Sequence, residues 1–581
     1  MRTQQLDSMS ARSGSIRSLA VASATALLIT LWVYWPCLDY GFLAWDDYEN
    51  IVNNANYRGL GPSHLWWMFN TLHMGPYQPL SWVSFGVDYC IWGMDPRGYH
   101  LTNVVVHAVN AALVVWVTGA VFHAWRRRVG RAEPSSRAED TAPSRHWAVA
   151  VGGLAAGLIW AVHPQRVESV AWVTERRDVM CGLFYLLCVW CYLRGHDTDR
   201  AERARTRWQW AAIVCGLLAV LSKGTAVSLP VVLLALDVYL LGRLTGPVAS
   251  WWRRPQRSVV LEKANYALFS LLGIGVGFIG QWLGGGIRTL DQVGLVDRLA
   301  LVAHAIVFYL AKLVAPVGLS PMYARPVPLD WISWRFLGSG LVVAAITALV
   351  VLLRRRWPVA LVAWSCYVAM LLPVSGLVTI GHELVADRYS YLPTLAMAVT
   401  LGGLMTWAWH RLRWGVARAG LGLAAAAAVA GLVVGARTLI PIWRDDIALW
   451  EHAVAVNPDT PRAQTNLGGV YSIAGRHEDA LVPLSWAIEL DATSYKPRLS
   501  LGIALRALGR YEQAADAFAG AIDLKPNDVK ARKLHAEALM YLGRIQEAVD
   551  ELKRALDLAP SDKSLRAYLM DIEARQPQGP P

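Results

Sequence analysis

The sequence predicts an all-α protein in two parts, a polytopic bundle of membrane helices followed by a solenoid of short helical repeats. Three observations carry this reading. Hydrophobic residues fill 55% of the 581 positions and charged residues only 17%, a balance suited to a chain that spends much of its length in lipid. Apolar runs of membrane-crossing length recur as far as about residue 440, separated by basic clusters. Beyond them the long runs stop and a 34-residue period begins.

The elements follow in order. Arg2, Arg12 and Arg17 precede a first run at 19–38. This run is long enough to cross a bilayer and reads as a retained signal anchor behind a cytoplasmic segment 1–18. An outer loop, 39–100, comes next. Further runs lie at 101–122, 147–162, 179–193, 209–222, 225–241, 264–283, 299–317, 336–353, 358–379, 389–409 and 417–440. Basic clusters follow several of them, at Arg126–Arg131, Arg194–Arg207, Arg243–Lys263, Arg354–Arg356 and Arg411–Arg418.

Placing every basic cluster in the cytoplasm gives a regular alternation with one conflict. Three runs separate Lys263 from Arg354, where an even number of crossings is required. The run 299–317 contains His304, Lys312 and Pro316 and reads as interfacial or re-entrant. That leaves eleven crossings, with the amino terminus inside and the carboxy terminus outside. Twelve crossings with both ends inside is the alternative.

The net charge of +12 sits in these inter-run clusters, and the 28 tryptophans suit bilayer interfaces. The pattern excludes a nucleic-acid-binding class. The seven cysteines show no metal-ligand spacing; Cys37 and Cys90 flank the first loop and read as a disulfide pair or as two free thiols. His100 and His107 share a helical face without a third ligand nearby, so packing is favoured over metal binding.

After Ile442 the character changes. Gly475-Arg476, Gly509-Arg510 and Gly543-Arg544 recur at intervals of 34, as do Ala480, Ala514 and Ala548. Pro526 and Pro560 keep the same phase. A helix–turn–helix unit of this length with small residues at its contacts is a tetratricopeptide repeat. The reading is therefore a membrane domain at 19–441, a half unit plus three repeats at 442–572, and a disordered tail at 573–581.

The polar residues gather on one expected face. The loop 39–100, HPQRVESVAWVTERRD (163–178), the turn SKG (222–224) and GHELVADRYSYLP (381–393) all fall outside under this topology. They supply Asp46, Asp47, His163, Glu168, Glu175, Arg176, Arg177, Asp178, Lys223, His382, Asp387 and Arg388. Charges this close to hydrocarbon pair with one another or line a wet cavity. For Glu175 to Asp178, mutual pairing at a helix start is as good an account as a site. It accounts less well for Asp46 and Asp47, whose nearest basic neighbour in sequence is Arg58.

Acids and bases on one outer face suit transfer from a lipid-linked phosphate donor. A carboxylate takes the proton of an acceptor hydroxyl while the lipid phosphate leaves. Arg177, Lys223, Arg388 and Arg176 are the expected phosphate-binding residues. His163, Glu168, His382 and Asp387 would shape the substrate site. Asp46 or Asp47 is the expected base, with a slight preference for Asp47. The residues do not require a metal; a divalent ion is compatible but not needed.

In their order along the chain, the Asp46-Asp47 loop, PLSWVSFGVDYCIWGMDPRGYHLTNVVVHAVN, HPQRVESVAWVTERRDVMCGLFYLL, SKGTAVSLPVVLLALDVYLLGR and ADRYSYLP, followed by the repeats, form a recognisable series. The chain resembles the bacterial relatives of the transmembrane-and-tetratricopeptide-repeat O-mannosyltransferases, from about Phe42 to Pro560. The resemblance implies a GT-C membrane fold, in keeping with the 11–12 crossings read from the apolar runs, and a polyprenyl-phosphate sugar donor. It also implies an outward active site, which in a bacterial chain lies across the inner membrane; the eleven-crossing topology puts the repeats on the periplasmic side, and twelve crossings would put them inside. An acidic residue of the first outer loop is then the catalytic group, which maps to Asp46 or Asp47, with a second acidic position at Glu168 or, as lesser alternatives, Glu175 or Asp178. The expected activity is transfer of a sugar such as mannose to a protein hydroxyl or glycan, with the repeats binding an acceptor or partner. The competing classes are a membrane-anchored repeat scaffold for envelope assembly and, more remotely, a lipid-linked sugar flippase.

Overall fold

The computed structural model describes residues 2–132, 143–198, 200–326, 329–379, 381, 383–412 and 414–575. His382 and residues 576–581 of the expected tail lie outside them. Two units emerge, one formed by Met1–Pro321 with Arg325–Asp445 and the other by Met322–Ala324 with Asp446–Pro581.

In the first unit the apolar runs fold as helices, and several begin on proline: Pro96–Ala132, Pro143–Ala161, Pro358–Leu371 and Pro393–Arg411. Proline suits a first helical position because the amide it lacks would have had no intrahelical partner. Seven described segments are long and apolar enough to cross a membrane, from Gly14–Asp39 to Gly415–Trp443. An eighth is added if the bent pair Trp147–Ala161 and Pro164–Ala171, which meet at 59°, is counted as one span. The chain is a multi-pass helical membrane protein.

Small residues set how closely these helices approach. A Cβ on Gly152 would lie 2.4 Å from the carbonyl oxygen of Gly402, and one on Gly402 would lie 2.5 Å from that of Gly152. Where lipid provides no hydrophobic drive, such backbone contact supplies the packing energy between helices.

The remaining apolar runs are helical too, either shorter, as at Pro358–Val374, or more polar. The helix Leu295–Val314 is tied by Arg298 to the carbonyls of Arg288 (2.6 Å) and Leu377 (3.0 Å) near its start. Near its end, Tyr309 donates to Ala386 O at 2.9 Å and Leu313 O lies 3.2 Å from His163 Nε2. Both its ends therefore meet loops on the same end of the bundle. At the opposite end the basic clusters come together: Arg127 pairs with Asp197, and Arg243 with Asp237 (3.0 Å) and Glu262 (2.6 Å). The helix Arg176–Gly195 runs from one charged end to the other, about 30 Å at 1.5 Å per residue.

The second unit is a stack of helices from Asp446–Val456 to Lys563–Arg575. Gly475, Gly509 and Gly543 have φ of +77°, +74° and +74°, the left-handed turn that ends the first helix of each pair. Ala480, Ala514 and Ala548 are fully buried, as are Leu484, Phe518 and Leu552 about one turn further along the same helices, at the same 34-residue phase. Ion pairs repeat with the same period, Arg510 to Glu478 (3.7 Å) and Arg544 to Glu512 (3.6 Å).

Candidate functional site

Asp46 and Asp47 follow the first candidate span, and their side chains part company. Asp47 turns inward and is fully buried. Its Oδ2 accepts from Leu43 N at 3.0 Å, and its Oδ1 accepts from Thr174 N at 2.9 Å and Thr174 Oγ1 at 2.5 Å. Burial pushes this carboxyl up to about 7 against the lowering pull of the three hydrogen bonds. The first loop is thereby pinned to the short turn Val173–Glu175.

Asp46 is half-buried, and its carboxylate takes no hydrogen bond or ion pair among the described residues. Burial raises its pKa; Arg177 and Arg388 nearby oppose that, while Glu175 and Glu383 add to it. The basic neighbours missing around the pair in sequence are thus supplied by distant segments in space.

Those segments form one charged network. Glu175 is fully buried and gathers three cations: Arg177 (Nε to Oε2 3.1 Å, with a second contact through Nη2), Lys223 (3.0 Å) and Arg388 (3.4 Å). Lys223 also reaches Asp178 Oδ1 at 2.7 Å, and Ser169 Oγ donates to the other Asp178 oxygen at 3.1 Å. Arg388 pairs with Glu168 through its guanidinium and through its backbone N (2.8 Å), and with Glu383 at 2.7 Å. Buried carboxylates at this density persist because each is neutralised and hydrogen-bonded.

Asp46, Asp47, Glu168, Arg177, Lys223 and Arg388 therefore come together. Arg176 points elsewhere, to Asp88 (2.7 Å), Tyr99 O (2.7 Å) and Asn103. Adjacent helical residues diverge by about 100°, which separates it from Arg177. His163 is buried at the proline break, accepting from Gln165 N at 3.2 Å and facing Leu313 O, so it caps a turn. Asp387 is buried at the start of the turn Asp387–Ser390, where its backbone oxygen accepts from Ser390 Oγ at 2.6 Å. The charge run 175–178 pairs internally only between Arg177 and Glu175. His107 is packed between Tyr391 OH (2.8 Å) and Ala161 O (2.9 Å), and His100 lies 3.3 Å from Gly41 O. Cys37 and Cys90 are free thiols. Among the described residues, no group of three or more His, Cys, Asp or Glu side chains is arranged to hold a metal.

Three features have little sequence signature. Thr174 as the anchor of Asp47 depends on a contact across 127 positions. The role of Glu175 as the hub of three cations requires Lys223 and Arg388 to converge from separate loops. Trp45 and Trp172 stack at 4.7 Å beside the network.

Fold and site together define a class: a multi-pass helical membrane protein with a charged cluster at one end of its bundle, continued by tetratricopeptide repeats. Residues 499–563 match the tetratricopeptide repeat family. The chain is a relative of the protein O-mannosyl-transferases over about a third of its length. It is 30% identical over 215 residues to protein O-mannosyl-transferase TMTC4 of Homo sapiens, covering 35% of this chain and 27% of that one. It is 30% identical over 233 residues to Tmtc1 of Drosophila melanogaster (38% and 23%), and 30% over 234 residues to TMTC2 of Mus musculus (39% and 25%). The matched region spans about a quarter of the length of these relatives. Among solved structures, the first TPR of Spaghetti (RPAP3) bound to HSP90 peptide SRMEEVD covers 20% of this chain and 90% of its own, at 19% identity and a TM-score of 0.19. MamA AMB-1 covers 23% and 79%, at 29% identity and a TM-score of 0.20.

Proposed function

We propose that the protein is a GT-C-type membrane glycosyltransferase that moves a sugar, mannose by likeness to its relatives, from a polyprenyl phosphate to a hydroxyl of a protein or glycan. The observation that carries the reading is the meeting of Asp46, whose carboxylate has no partner among the described residues, with the cations Arg177 and Arg388. Asp46 is the base. It takes the acceptor O–H proton as the acceptor oxygen bonds to the sugar C1 and the bond from C1 to the phosphate oxygen breaks. The raised proton affinity that burial gives Asp46 suits this task. Arg177, Lys223 and Arg388 receive the departing lipid phosphate, exchanging contacts with Glu175, Asp178 and Glu383 for contacts with phosphate oxygens. Asp47 acts through position, holding the loop that carries Asp46, and Glu168 orients Arg388.

With the basic clusters in the cytoplasm, this end of the bundle faces outward, across a bacterial inner membrane. The repeats serve as a binding surface for the acceptor or a partner. The scaffold reading draws on the pairing of every cation in the cluster with a carboxylate, as a purely structural network would have.

The test compares transfer by purified wild type, Asp46→Asn and Asp47→Asn in lipid nanodiscs, with polyprenyl-phosphate mannose and a Ser/Thr peptide. Loss of transfer in Asp46→Asn at unchanged thermal midpoint supports the assignment. Full activity in Asp46→Asn removes it, and failure of wild type with every lipid-linked sugar offered favours the scaffold.

A further inference from the structure

Charge is divided between the two rows of helices in the repeats. The first helices of the pairs, Pro461–Ile473, Tyr495–Ala507 and Val529–Tyr541, carry seven Lys or Arg residues against a single acid, Glu537. The second helices His477–Leu490 and Tyr511–Leu524 carry three acids each and no Lys or Arg. In the next second helix, Ile545–Leu558, four acids outnumber Lys553 and Arg554. One row is thus basic and the other acidic.

The basic row is the inner one. Consecutive first helices pack against one another more closely than consecutive second helices do, and in a curved stack the closer row lies on the concave side. Each first helix buries one side, as at Pro497, Gly502, Ala504 and Leu505. Residues three, four or seven apart share its other side, which holds Arg462 on the first helix, Lys496 and Arg506 on the next, and Lys530, Lys533 and Glu537 on the third. Arg506 meets Glu537 at 2.5 Å, so the stripes of neighbouring first helices open on the same groove, and the one acid there is neutralised. Arg498 and Arg532 turn back to the carbonyls of Ala492 (3.2 Å) and Pro526 (2.9 Å). Arg462, Lys496 and Lys530 stand 34 positions apart, are exposed, and make no side-chain hydrogen bond or ion pair among the described residues.

We infer that the inner groove of the repeats takes an acidic, extended peptide segment of a partner protein, with a carboxylate at every third residue. The spacing follows from the geometry of both sides. Packed helices lie about 8–10 Å apart. A peptide in the polyproline-II form has three residues per turn and rises about 3.1 Å per residue, so every third side chain points the same way at about that interval. Successive carboxylates then meet Arg462, Lys496 and Lys530 in turn. A single strand fits the inside of a curved row, whereas a flat bilayer surface does not reach it. The inference rests on the reading of the repeats as a binding surface and names what they bind; it does not depend on glycosyl transfer.

The experiment uses full-length protein in nanodiscs of zwitterionic lipid and measures affinity for three short peptides. One has glutamate at every third position, one has the same composition with its glutamates adjacent, and one has lysine in place of glutamate. The spaced acidic peptide should bind tightest, and its affinity should fall as salt is added. The double variant Lys496→Gln/Lys530→Gln should weaken it about tenfold, the loss of two exposed ion pairs. Lys553→Gln, on a second helix, should leave it unchanged. Equal affinity for the acidic and the lysine peptides, or no effect of the double variant, overturns the acidic groove, and equal affinity for the two acidic peptides overturns its spacing. Tighter binding to phosphatidylglycerol vesicles than to the spaced peptide, weakened by the same double variant, puts a lipid surface in place of the peptide. Binding of no peptide at all overturns the binding-surface reading of the repeats along with the inference, and leaves sugar transfer to its own test.

Discussion

The Asp47 carboxylate and the Thr174 amide, 127 positions apart in the chain, meet at 2.9 Å in the fold. The contact fastens the first loop to the turn that leads into Glu175, Arg177 and Asp178, so Asp46 is held beside the cations by its own neighbour. A carboxylate with three protein donors has little capacity left for a substrate. One with none among the described residues keeps all of it.

Removing the anchor should therefore cost stability first. Asp47→Ala leaves the Leu43 and Thr174 amides buried without an acceptor, a loss on the order of 3 kcal/mol. Asp47→Asn keeps one carbonyl oxygen and should cost less, and Thr174→Val less again. Thermal unfolding in detergent or nanodiscs gives the order. Unchanged midpoints for Asp47→Ala would show that the loop is held by other contacts.

The pH dependence has a definite sign. Burial raises Asp47 from 3.8 to about 7 in the folded protein, so the folded state holds this proton more tightly than the unfolded chain does. The resulting stabilisation is complete below about pH 4 and is lost as the pH rises through about 7. Midpoints measured from pH 4 to 8 should fall with rising pH, and the slope should be shallower in Asp47→Asn. An equal slope in the two proteins places the titration elsewhere.

Arg388 and Glu168 form a buried pair, their side chains 9% and 3% exposed. Replacing one partner alone strands a charge, which costs about 3–5 kcal/mol. Arg388→Met should therefore be destabilised more than the double variant Arg388→Met/Glu168→Gln. The comparison is a double-mutant cycle on unfolding midpoints. Additive effects would mean that the two groups act independently.

In the repeats, a Cβ on Gly502 would lie 2.5 Å from Cε1 of Phe518, which is fully buried and has no room to move, whereas one on Gly469 meets nothing within 4 Å. Gly502→Ala should destabilise the second unit by about 1–3 kcal/mol through overpacking. Gly469→Ala, inside a helix, should be neutral or stabilising by up to about 1 kcal/mol. The helical signal of the repeat unit on heating distinguishes the two variants.

Much of the architecture was legible from local pattern. Apolar length marked the helices and prolines marked several of their starts. The repeating Gly-Arg and buried alanines gave away the paired helices of the second unit, because a period of 34 reports contacts between near neighbours in sequence. The site was legible as a set of segments: Asp46, Asp47, Glu168, Arg177, Lys223 and Arg388 were all named from charges on one expected face. Their division of labour was not. Arg176 and Arg177 are equivalent as letters, and only the rotation of about 100° per helical residue sends one to Asp88 and the other to Glu175.

By itself the sequence determined what depends on composition and short-range period: a polytopic helical chain, a repeat solenoid, and four polar segments at one end of the bundle. Only the tertiary structure decided which of two adjacent aspartates is tied down, that Glu175 gathers three cations, and that Trp45 stacks on Trp172. Each of these is a contact between segments tens to hundreds of residues apart, set by helix rotation and loop closure. No local spacing in the chain encodes those.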